Sequence, residues 1–184
     1  MMDARAAEDW VENVVSNGWR ATTLGQLPTL VDDRLDGEES LNLERSLCFG
    51  NQEDRIELAA AVERNDSLPS EGDARLSVEV RSSGFGGRAD LWVSRESLKA
   101  FASQLAGLDN TRRGQASLTS MSPDQFEMSV RAVTSIGHVA VEGKLSRRCR
   151  SENATFIHAV SFGFEIDPGQ LSEGLRVSWL SEYV

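Results

Sequence analysis

Residues 75–93 read RLSVEVRSSGFGGRADLWV. Leu76, Val78 and Val80 alternate with Ser77, Glu79 and Arg81. Beyond the glycines, Ala89, Leu91 and Val93 alternate with Asp90 and Trp92. A period of two places successive side chains on opposite faces, so each half is a strand with one buried face. Two such strands so close together demand a tight connection. Gly84-Phe85-Gly86-Gly87 therefore reads as a hairpin corner with a bulge, where glycine supplies positive φ. A phosphate cradle is the competing reading, and it fits worse. A dinucleotide loop needs GxGxxG opening a helix, and a Walker loop needs Gly-Lys followed by Ser or Thr. Here the spacing is GFGG and an alternating strand follows.

The same alternation recurs along the chain. Ser46–Gly50 and Arg55–Val62 are candidate strands around Asn51–Asp54, and Asp66–Asp73 is a loop by its Pro, Gly and Ser content. Strands are also expected at Ala116–Met121, Gln125–Arg131, His138–Leu145 and Thr155–Ile166, with a last edge strand at Arg176–Leu180. Asp167–Leu171 starts a turn or short helix. Only two segments have helical spacing. Ser94–Leu108 carries Leu98, Phe101, Ala102, Leu105 and Leu108 on one stripe behind a capping serine. Residues 3–20 place Ala7, Trp10, Val11, Val14 and Val15 on another. Strands joined by tight loops, without βαβ alternation, describe a meander and not a doubly wound nucleotide fold. The expected fold is α+β: a single antiparallel sheet of about six to eight strands, an amphipathic helix over 94–108 on one face, and an N-terminal helix. One compact domain is expected, with 1–46 as N-terminal helix and acidic linker and 47–184 as the sheet domain.

Charge divides the 184 residues unevenly. Net charge is −10, yet residues 1–73 hold 17 acids against 6 bases, while 74–184 hold 12 against 13. A polyanion would be repelled, so nucleic acid is not the expected partner. An acidic surface suits a basic protein. The acids Asp32, Asp33, Asp36, Glu38 and Glu39, in the linker, are the candidate contacts, with a merely solvated linker as the plainer reading. The opposite concentration, Lys144–Arg150 (KLSRRCR), reads as a solvated hairpin tip, or as an intramolecular partner for the acidic 32–44 segment.

Chemistry-bearing motifs are scarce. Cys48 and Cys149 have no second Cys or His at zinc spacing, so both are expected as free thiols, Cys48 the more buried. His138 and His158 carry no HExxH motif, and no GxSxG elbow exists. No catalytic residue, metal site or cofactor is therefore assigned. The enzymatic or small-molecule alternative would need a pocket near Trp92, His138 and His158. A third reading is a homodimer through an exposed sheet edge. No apolar run suffices to cross a membrane, and the N-terminus has acids where a signal peptide has bases. A cytoplasmic location is expected.

From Arg75 to Leu171 the order of features resembles the WapI-type immunity proteins and related uncharacterised bacterial proteins. The resembling elements are the strand leading to Gly84-Phe85-Gly86-Gly87 and Trp92, then the helix with Leu98, Phe101, Leu105 and Leu108. They continue through Gly114-Gln115-Ala116-Ser117-Leu118, Gly137-His138-Val139-Ala140-Val141 and Phe162-Gly163-Phe164-Glu165-Ile166-Asp167 to Leu171. The resemblance implies a cytoplasmic protein that neutralises a secreted polymorphic toxin by binding it. Such toxins are often basic nucleases, whose phosphate site an acidic inhibitor would occupy. The resemblance transfers no residue-level site.

Overall fold

The computed structural model describes residues 46–134 and 137–184. The N-terminal helix expected over 3–20 and the acidic linker up to residue 45 lie outside the described residues.

Four strands come first: β1 (Leu47–Gly50), β2 (Arg55–Val62), β3 (Ala74–Ser82) and β4 (Phe85–Val93). They pair antiparallel in chain order. The expected glycine corner is the β3–β4 turn. Its two linking residues, Ser83 (φ 51°) and Gly84 (φ 83°), are both left-handed, the conformation of a type I′ hairpin turn. Ser82 pairs with Phe85, and the register runs unbroken to Ala74 and Val93. No bulge interrupts it, so Gly86 and Gly87 belong to β4 itself.

Helix α1 (Arg95–Thr111) follows, with Ser94 accepting the Ser97 N–H at 3.2 Å as its cap. Leu98, Phe101, Ala102, Leu105 and Leu108 are all buried, the stripe that the spacing predicts. Arg112 ends the helix in a left-handed conformation, its N–H returning to the Leu108 carbonyl at 2.8 Å.

A second meander comprises β5 (Gln115–Thr119), β6 (Phe126–Ala132), β7 (Val139–Arg150) and β8 (Thr155–Ile166), again antiparallel in chain order. The expectation of a single sheet is thus overturned: the described residues form two sheets of four strands. The reason is geometric. A helix of 17 residues covers the apolar face of only a few strands. Eight strands in one sheet would leave the rest of that face in water. In two sheets, β8 lies against β1, β3 and β4, β7 lies against β4, and α1 covers β5 and β6. Residues of both sheets and α1 form one continuous core. The outer edge of β4 meets the β5–β6 turn, where the Met121 N–H donates to the Trp92 carbonyl at 2.8 Å.

At Gly87 the two sheets lie in close contact. A Cβ there would lie 3.2 Å from Val160 Cγ2 and 3.8 Å from Leu145 Cδ2. The glycine cluster therefore marks a turn and, three residues later, a crossing point of β4 under β7 and β8.

The C-terminus forms two short helices, α2 (Gly169–Leu175) and α3 (Ser178–Ser181). The edge strand expected over Arg176–Leu180 is not formed. Trp179 and Leu180 are neighbours and both fully buried. An alternating strand would have turned one of them outward, so only a helical turn satisfies both.

Candidate partner-binding surface

The outer face of the first sheet is charged but internally neutralised. Arg75 meets Asp90 at 3.1 Å, Arg81 meets Glu79 at 3.0 Å and Arg55 meets Glu57 at 3.3 Å. Desolvation alone would raise the Asp90 carboxyl. Hydrogen bonds from Ser77 and Arg75, with the charges of Arg75 and Arg88, outweigh it and hold Asp90 below its ordinary value. On the second sheet Arg131 makes a two-pronged contact with Glu142, at 2.9 and 3.1 Å, and Glu142 is lowered by it. These pairs order the surface and leave little free charge to recruit a partner.

The basic run behaves differently. Read as a hairpin tip, it is in fact the second half of β7. Arg147 pairs with His158, Arg148 with Ile157, Cys149 with Phe156 and Arg150 with Thr155. The β-favouring Thr155-Phe156-Ile157 extends the ladder past the point where β7 loses its apolar alternation. The true tip is 151–154, closed by the Ser151 N–H on the Ala154 carbonyl at 2.8 Å. Leu145 and Ser146 are the last buried residues of β7. Ser146 Oγ donates to the Asp124 carbonyl, and its N–H to the Gln125 carbonyl at 2.8 Å. Beyond them the two strands leave the body as a ribbon, with each residue of Thr155–Ala159 exposed.

This arm concentrates two kinds of free group. Phe156 is 54% exposed and Ile157 66%. Being adjacent on β8, they point to opposite faces. Each stands directly across from a residue of the Arg147–Arg150 segment. The signal was present in the sequence: two large adjacent apolar residues in a strand cannot both face one core.

The structure does not gather the residues of the enzymatic alternative. Trp92 is on the outer face of β4, across from Arg75. His138 precedes β7, its Nδ1 lying 3.6 Å from the Glu165 carboxylate. His158 is on the arm, across from Arg147. The two histidines are thus roughly 30 Å apart along the ribbon at the usual rise per residue. The candidates Asp32, Asp33, Asp36, Glu38 and Glu39 lie outside the described residues.

Among the described residues, two cavities lie at seams between elements. One of about 480 Å³ opens between β1 and α2, lined by Ser46, Cys48, Glu173, Gly174, Arg176 and Val177. Cys48 is turned outward into it, contrary to the expectation that it is the more buried cysteine, and both cysteines are free thiols. Partial burial and the charge of Glu57 push the Cys48 thiol up, against the opposing pull of Arg55, so it is a poor nucleophile. Another, of about 260 Å³, includes Arg64, Glu71, Arg95, Glu182 and Tyr183. Its groups are mutually satisfied: Arg64 binds Glu182 at 2.7 Å and Tyr183 donates to the Gly72 carbonyl at 2.7 Å. Burial, then the Glu182 charge, pushes the Tyr183 phenol above its ordinary value. Among the described residues no group of three or more His, Cys, Asp or Glu could hold a metal ion. No helix among them is long and apolar enough to cross a membrane.

No curated protein and no solved structure matches the chain. One family model does, the immunity protein WapI-like family, over residues 47–176. The matched segment begins at the first residue of β1 and ends just past α2. It takes in both sheets and the helix between them, and it extends the resemblance noted from residue 75 back through β1 and β2. With well over half its length matched, the chain belongs to the WapI-like immunity protein family.

Proposed function

We propose that this chain is a cytoplasmic immunity protein that acts without catalysis, neutralising a polymorphic toxin by binding it. The observation that carries this reading is the family match across both sheets and α1. The toxin is a basic protein in this reading. Asp32, Asp33, Asp36, Glu38 and Glu39 contact it, because the acidity of the chain is concentrated before residue 74. An acidic inhibitor surface suits a nuclease toxin, whose phosphate-binding site it would fill.

The experiment uses the toxin domain encoded beside the gene for this chain. Purified full-length chain is titrated against it at low salt, beside a variant carrying D32N, D33N, D36N, E38Q and E39Q. Binding by the wild type and a marked loss in the variant support both statements. Equal affinity in the variant removes the acidic contact, and absence of wild-type binding removes the immunity reading.

A further inference from the structure

We propose that the β7–β8 arm is a second contact surface, and that it inserts into an acidic, partly apolar cleft of the toxin. The inference rests on the immunity reading and names the side of the molecule that the reading leaves open.

Charge is the first argument. Arg55, Arg75, Arg81, Arg95, Arg112 and Arg131 in the body each have a carboxylate within 4 Å. Among the described residues Arg88, Lys99, Arg113 and Arg176 have none, but they stand on separate elements, whereas Lys144, Arg147, Arg148 and Arg150 have none and lie together. Four cations stand together within seven residues of a chain whose net charge is −10. Three of these cations, Arg147, Arg148 and Arg150, stand on the projecting arm against one acid at its tip, Glu152, and place a local positive field there. Such a field favours a locally acidic site on an otherwise basic partner and orients the encounter.

Geometry is the second argument. A two-stranded ribbon gains little from its own pairing and is marginal in isolation. Among the described residues the arm is held at its root, by Leu145 and Val160 over Gly87 and by the Ser146 bonds to 124 and 125. Its pairing nonetheless continues to Arg150 and Thr155. One face carries Arg147, His158, Cys149 and Phe156, and the other carries Arg148, Ile157, Arg150 and Thr155. Each face therefore has one large apolar residue beside arginine. Aromatic and aliphatic anchors with arginine are the composition of interface hot spots, and guanidinium groups bind carboxylates in two-pronged fashion. Because both faces are so equipped, a cleft fits the arm better than a flat surface. Nucleic acid is the competing occupant for a basic ribbon. The net charge of the whole chain opposes it, and the exposed Ile157 has no partner on a phosphate backbone.

The test measures affinity of the full chain for the neighbouring toxin domain by calorimetry, for the wild type and two arm variants. One variant is R147E/R148E/R150E and the other F156T/I157T, which removes the large apolar groups but keeps residues that favour a strand. A body variant, R113E, is the control. Each arm variant is expected to weaken binding at least ~100-fold, and R113E to stay within about twofold. The Tm of all variants should match the wild type, since the substituted side chains are exposed. Wild-type binding with unchanged affinity in both arm variants overturns this inference and leaves the immunity reading standing. Absence of wild-type binding overturns that reading and the inference with it. A short DNA duplex serves as a second probe. Binding of DNA by the wild type that R147E/R148E/R150E abolishes, with toxin affinity intact, assigns the arm to nucleic acid and overturns the proposal.

Discussion

Gln170 closes on both backbone groups of Gly50. Its Nε2 donates to the Gly50 carbonyl at 2.8 Å, and its Oε1 accepts the Gly50 N–H at 2.9 Å. The side-chain amide thus makes the pair of bonds that a residue of a neighbouring strand would make. It finishes the exposed end of β1, 120 positions away in sequence, and fastens α2 to the first sheet. Replacement by alanine leaves two half-buried backbone groups unpaired. Q170A should cost about 1–3 kcal/mol, read as a lower urea midpoint with unchanged slope. Q170E, which cannot donate, should also be destabilised, and an unchanged midpoint in both would show that water satisfies Gly50 equally well.

The crossing at Gly87 gives a prediction of opposite sign to strand propensity. Glycine within a strand is ordinarily improved by a side chain. Here a Cβ would press on Val160, a β-branched residue with little freedom at χ1. G87L should therefore destabilise by about 1–3 kcal/mol, and V160A in the same chain should recover part of the loss. Additivity of the two substitutions in a double-mutant cycle would mean that the residues do not share the space.

Trp179 is fully buried, and its indole nitrogen has no hydrogen-bond partner among the described residues. W179A should cost about 3–5 kcal/mol. W179F gives up volume but no hydrogen bond, so chemical denaturation should place it much nearer to the wild type. A W179F loss equal to that of W179A would show that the indole N–H is satisfied after all.

Asp90 sets an acid-dependent contribution. Its carboxyl is held below its ordinary value, so the folded state binds the proton less readily than the unfolded chain. The stabilisation is fully present above the ordinary aspartate range and is lost as pH falls through the lowered folded value. The stability difference between wild type and D90N should be constant near neutral pH and shrink on acidification through that window. A difference that grows on acidification would contradict the sign.

Much of this was legible from residue patterns, and what was not has a physical reason. The stripe from Leu98 to Leu108 is local and uninterrupted, and the helix forms with all five residues buried. Leu76, Val78, Val80, Leu91 and Val93 face the core as their alternation requires. Alternation assigns a face to each residue but does not say which strands share a ladder, so the division into two sheets escaped it. The same limit hid the arm. Arg147, Arg148 and Arg150 break the apolar rhythm of β7, and Phe156 and Ile157 on β8, across from Cys149 and Arg148, keep the strand going. Trp179 and Leu180 resemble a strand end until both prove to be inside. The acids from Asp32 to Glu39 were read from charge alone and lie outside the described residues.

The central claim is neutralisation by binding. Its most direct test is toxin activity measured while purified full-length chain is added to the neighbouring toxin domain. The account predicts that activity falls in proportion to added chain and is lost at equimolar amounts, with a one-to-one complex on size exclusion. Full toxin activity in the presence of excess folded chain would contradict it.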